Sequence, residues 1–179
     1  MKTLLLSFVL LLVIGCSDKK YHEKANSTLP KYSLENILNY NNEDTIFVKS
    51  RFSDCGEWGG HSELIKIYRA EKKLKLTYIK FKVDCDMRDS EGSIIQNKEF
   101  TRHVLLSNSQ QLALMNYMND LMKFQFLTKE ISHSGNSFYL YNTKEDLKIY
   151  HYGNQPLLLN NYNILMTEFG FPTVIVDSK

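Results

Sequence analysis

The residues with the widest chemical repertoire in this chain fall in one stretch of eight: Asp54, Cys55, Gly56, Glu57, Trp58, Gly59, Gly60 and His61. The stretch holds two carboxylates, a thiol, an imidazole and the only Trp of the chain, spaced by glycines. An imidazole beside a carboxylate can move protons. A thiol beside an imidazole can act as a nucleophile, and cysteine with histidine can hold zinc. Glycine permits positive φ and close backbone approach, so a curled loop would bring Glu57 and His61 together. Glu57, Trp58 and His61 are therefore the candidate binding residues. Glu57 with His61 would be the centre of any hydrolase or metal-dependent enzyme. Trp58 reads either as a recognition anchor on a rigid loop or as a plug in one end of the core.

Other candidate chemistry fails on spacing. Cys55, His61, Cys85 and His103 are the right ligand types for zinc, but no tight C-x₂-C or H-x₃-H pair is present. The acidic run from Asp84 to Gly92 departs from the EF-hand pattern. Arg88 stands at its third ligand position, and Asp89 stands where glycine is needed. No G-x-S-x-G elbow occurs, and His103, His133 and His151 have no spacing that unites them. No catalytic residue, no metal ligand and no cofactor is assigned.

The start of the chain carries a different signal. Lys2 precedes an apolar run over residues 4–14, followed by Gly15, Cys16 and the polar Ser17, Asp18, Lys19 and Lys20. That run is short of the roughly 20 residues needed to span a bilayer and has the layout of a secretory signal. Val13, Ile14, Gly15 and Cys16 resemble the lipobox of bacterial lipoproteins. The resemblance implies cleavage before Cys16, diacylglyceryl transfer to its thiol, and a place at the bacterial cell envelope, facing the periplasm or the outer surface. The segment over 55–61 is similar to segments in uncharacterised bacterial lipoproteins, a resemblance that implies no activity. With Cys16 acylated, Cys55 and Cys85 are an even pair in an oxidising compartment, where a disulfide is expected. Closing that loop is worth roughly 3.5 kcal/mol on the chain-entropy model.

The elements that must position the loop are legible from periodicity. Residues 17–30 are polar and without apolar period, and read as a tether of about 20 Å at random-coil dimensions. The rest, 31–179, has the length of one globular domain. A short helix is expected over 33–39. Strands are expected over 45–52, 63–69, 74–83 and 100–106, a helix over 109–126, a hairpin of 137–141 with 147–152, and a helix from Pro156 to the stop at Gly170. The first long helix would bury Leu112, Met115, Met118, Leu121 and Met122; the second Leu158, Tyr162, Leu165, Met166 and Phe169. In 74–83 the apolar face switches from Leu74, Leu76 and Tyr78 to Ile79, Phe81 and Val83, which predicts a bulge near 78–79 or burial on both faces. Residues 173–176 would add a last short strand. The order α-β-β-β-β-α-β-β-α predicts an α+β domain, with an antiparallel sheet of about six strands packed against two main helices.

The charge balance is +2 over the chain, which fits neither a nucleic-acid binder nor an acidic solvating tail. Lys72, Lys73, Lys75, Lys80 and Lys82 cluster on one hairpin, as solvent-face or edge-protecting residues do. Together these features predict a lipid-anchored, non-catalytic binding module. It would attach to the membrane through Cys16 and hold a protein partner, in one form as an inhibitor or immunity protein, with no nucleic acid involved. An envelope hydrolase centred on Glu57 and His61 and a structural envelope lipoprotein are the alternatives.

Overall fold

In a computed structural model of the protein, the described residues are Leu34, 44–127 and 135–176, all within the compact unit Tyr32–Lys179. The expectations for the signal segment, Cys16, the tether, His133 and the helix over 33–39 fall outside them, apart from Leu34, which is buried in the core.

Six strands form one antiparallel sheet: β1 (Thr45–Arg51), β2 (Ser62–Ala70), β3 (Lys73–Lys82), β4 (Asn97–Leu105), β5 (Ser137–Asn142) and β6 (Lys148–Tyr152). Their spatial order is β4-β3-β2-β1-β5-β6. Two helices, α1 (Asn108–Leu127) and α2 (Pro156–Phe169), cover one face. The α+β class and the antiparallel sheet are those expected, as is the element order among the described residues, from β1 to α2. Alternation builds the core: Ile46, Val48, Ile65, Ile67, Leu76, Tyr78, Phe138 and Leu140 point to the helices and are buried. No described helix is long and apolar enough to cross a membrane.

The irregularity expected in β3 exists, but it lies elsewhere. The ladder slips between Lys80 and Phe81, where Phe81 pairs with Lys98 and Glu99 is the extra residue on β4. Leu74, Leu76 and Tyr78 face the core, while Ile79 and Phe81 lie half-buried on the opposite face. Pairing continues past the slip, so β4 starts at Asn97 rather than at residue 100. β3 is interior, so its lysines protect no edge; the edges are β4 and β6.

The phase of α1 also differs from the expected one. Its buried residues are Leu114, Tyr117, Met118 and Leu121, whereas Leu112 is 61% and Met122 42% exposed. The ring of Tyr117 meets that of Tyr162 at 6.3 Å, and this contact turns the helix so that Leu112 faces outward. In α2 every expected core residue is buried, and the helix stops at Gly170, whose N–H returns to the carbonyls of Met166 and Thr167. Residues 173–176 form no strand. The Asn163 side chain takes the place of a neighbouring strand: its Oδ1 accepts the Val174 N–H at 2.8 Å, and its Nδ2 donates to the Val174 carbonyl at 2.8 Å.

Candidate functional site

The loop over 52–61 leaves β1 and returns to β2, and it is fixed from several directions. A 3₁₀ turn, Gly56–Trp58, forms its tip. Cys55 is disulfide-bonded to Cys85, with Cα atoms 5.4 Å apart, so the tip is tied to the connection between β3 and β4. The expected disulfide is present, and neither sulfur is a free nucleophile or metal ligand. Backbone bonds close the base, with Phe52 N donating to His61 O at 2.9 Å and Cys55 N to Gly59 O at 2.7 Å. Gln96 spans the return. Its Oε1 accepts the Ser62 N–H and its Nε2 donates to Gly60 O, each at 3.0 Å. At Gly60 a Cβ would lie 2.6 Å from both Phe52 O and Asp54 N, so only glycine permits this closure.

His61 sits inside this frame, not at its tip. Its Nδ1 bonds the Asp54 carboxylate, whose Oδ2 also accepts the His61 N–H at 3.1 Å. Its Nε2 lies 3.6 Å from Glu63 Oε1, and its ring stacks on Phe52 at 4.9 Å. Glu63 is 1% exposed and accepts a bond from Tyr162 Oη at 2.7 Å. The result is a line Asp54–His61–Glu63–Tyr162 running from the loop into the core. Burial pulls the His61 pKa down, but the bond to Asp54, the approach of Glu63 and the charges of both acids outweigh it and raise it to about 9. Burial pushes Asp54 up, but its bonds to the His61 side chain and backbone, and the imidazolium charge, bring it below the usual value. Burial and then the Glu63 charge push the Tyr162 phenol well up, so it stays a donor.

The acids that His61 engages are thus Asp54 and Glu63. Glu57 lies exposed on the 3₁₀ turn. The backbone of Trp58 ends that turn, and its side chain lies outside the described residues. Both ring nitrogens of His61 face carboxylates, Nδ1 in its bond to Asp54 and Nε2 across 3.6 Å from Glu63, an arrangement that favours the imidazolium. Sequence reasoning missed Asp54 and Glu63 as the partners. For Glu63 the signal existed: strand alternation places it on the face of Ile65 and Ile67.

The remaining candidates are engaged elsewhere. His103 Nδ1 bonds Thr77 Oγ1 at 2.9 Å, and His151 Nε2 takes the Leu121 carbonyl at 2.7 Å. In the acidic connection Asp89 Oδ1 accepts the N–H groups of Glu91 and Ser93 at 3.0 and 2.8 Å, so that carboxylate shapes a turn. Among the described residues no group of three or more His, Cys, Asp or Glu is arranged to hold a metal. A groove of about 280 Å³ opens between α1 and α2, lined in part by Leu112, Asn116, Asp120, Ile164 and Glu168, and it includes none of Glu57, Trp58 and His61. Compared with known proteins, the chain matches no family model, no curated protein and no solved structure.

Proposed function

We propose that this chain is an exported, lipid-anchored binding module, held in the bacterial envelope through Cys16, whose loop over 54–61 engages a macromolecular partner without catalysing a reaction. An inhibitor or immunity role is one form of this. The observation that carries the reading is the commitment of the reactive groups: both loop-bracing cysteines are bonded to each other, and His61 is clamped between Asp54 and Glu63. A loop so fixed loses little entropy on binding, which favours recognition. The sequence layout around Cys16 supports the anchor.

The test is photo-crosslinking in cells from a benzoyl-phenylalanine placed at Glu57. A discrete protein adduct is expected, and Trp58→Ala should abolish it without shifting the thermal unfolding of the purified protein. No adduct in the envelope fraction would sink the reading. So would a hydrolytic activity of the purified protein that His61→Gln removes, which would favour the hydrolase.

A further inference from the structure

The face of the sheet turned away from α1 and α2 is a surface separate from the loop. Register and alternation put Phe47, Tyr68, Tyr139, Tyr141, Tyr150 and Tyr152 on it. Phe47 stacks on Tyr141 at 4.8 Å, Tyr141 on Tyr139 at 4.5 Å, and Tyr150 meets Tyr139 edge-on at 5.8 Å. The same alternation places Lys49, Lys66, Lys73, Lys75, Lys98 and Lys148 on this face, and no Asp or Glu at any of its strand positions. The neighbouring turns supply Glu71, 2.9 Å from Lys75, and Glu145, 3.4 Å from Lys148, so cations stay in excess. The acid at the β4 bulge, Glu99, pairs at 3.7 Å with Lys80, which faces the other side.

We infer that this face docks an acidic protein surface. Lysines spread over one sheet face attract and orient a partner rich in Asp and Glu. Tyrosines between them give large contact area at low entropy cost, with hydroxyls that donate to carboxylates. A nucleic acid fits less well, because base stacking needs open ring faces and the rings of Phe47, Tyr139 and Tyr141 already stack on one another. The inference goes beyond the loop reading, and either can fail alone.

The experiment measures binding of labelled poly-L-glutamate to the isolated full-length protein by fluorescence anisotropy. A single-stranded oligonucleotide of matched charge and phosphatidylglycerol–phosphatidylcholine vesicles run in parallel. Poly-L-glutamate should bind tightest. Lys49→Glu and Lys66→Glu should each weaken it about threefold and together about tenfold, while Lys123→Glu on α1, an equal change of charge, should stay within about twofold. Lys49→Gln with Lys66→Gln should give a smaller loss in the same direction, and covers the case that the double reversal unfolds. Tighter binding of the oligonucleotide or the vesicles, no binding of poly-L-glutamate, or an equal loss from Lys123→Glu would each overturn the inference.

Discussion

His61 is held at the boundary between loop and core by two carboxylates of different kinds. Asp54 is partly exposed and bonds Nδ1, while Glu63 is buried and lies 3.6 Å from Nε2. A buried carboxylate is stable only when paired and hydrogen-bonded, and Glu63 has His61 on one side and Tyr162 on the other. The folded His61 pKa, about 9, lies above its ordinary 6.5. The clamp therefore contributes its full stability below about pH 6.5 and loses it as pH rises through 9. Asp54, lowered from 3.8, works the other way: its share is present above 3.8 and is lost as pH falls through its lower folded value. His61→Gln is expected to cost about 2 kcal/mol at pH 6, with the gap to the parent protein closing towards pH 10. Denaturant titrations at a series of pH values check this, and a cost independent of pH would show that His61 is held by packing on Phe52 alone. The clamp was only half legible in the sequence. The reactive loop was evident from its composition, but a stretch with three glycines has no periodicity. Nothing in it distinguished Asp54 from Glu57 as the acid His61 would meet.

Elements were more legible where the chain alternates than where it coils. Strands β1, β2, β5 and β6 follow from β-branched and aromatic runs, because a sheet with one buried face demands period two. The stripe of α2 was equally clear, since Pro156 and Gly170 delimit it and its apolar residues fall on one side. Helix α1 was harder. Leu and Met occur all round it, so apolar type does not fix its phase, and the position of Tyr117 against Tyr162 does. Paired substitutions test that phase. Leu121→Ala, at a side chain 0% exposed, should cost about 3 kcal/mol. Leu112→Ala, 61% exposed, should stay within about 0.5 kcal/mol. Equal costs in urea unfolding would mean that the outer side of α1 is covered and that Leu112 belongs to an interface. The segment 173–176 misled for a related reason: its β-branched residues suit a strand, yet the backbone of Val174 is satisfied by one Asn163 side chain.

Across the whole molecule, the disulfide links the two connections at one end of the sheet, the loop between β1 and β2 and the segment between β3 and β4. It spans 30 residues of sequence, a closure that restricts the unfolded chain by roughly 3.5 kcal/mol. The core lies elsewhere, in a single cluster between the sheet and the two helices. The fold should therefore survive loss of the bond, at reduced stability, while the loop tip loosens. Cys55→Ser with Cys85→Ser is expected to lower unfolding free energy by about 3 kcal/mol and to keep the far-ultraviolet spectrum of the parent. Amide hydrogen exchange separates the two effects. Protection in β1, β2 and α2 should fall together, by the global loss. Gly56–Trp58 and the connection around Asp89 should exchange faster than that loss accounts for, because their own hydrogen bonds are short-range and solvent-facing. Gln96 and the Asp54–His61 pair brace the base of the loop independently, so His61 and Ser62 should stay protected. If the tip exchanges no faster than the core, those polar braces hold the loop without the sulfur bridge. If His61 and Ser62 loosen along with the tip, the disulfide is what holds the clamp in place, and partner binding through the loop should then be lost under reducing conditions.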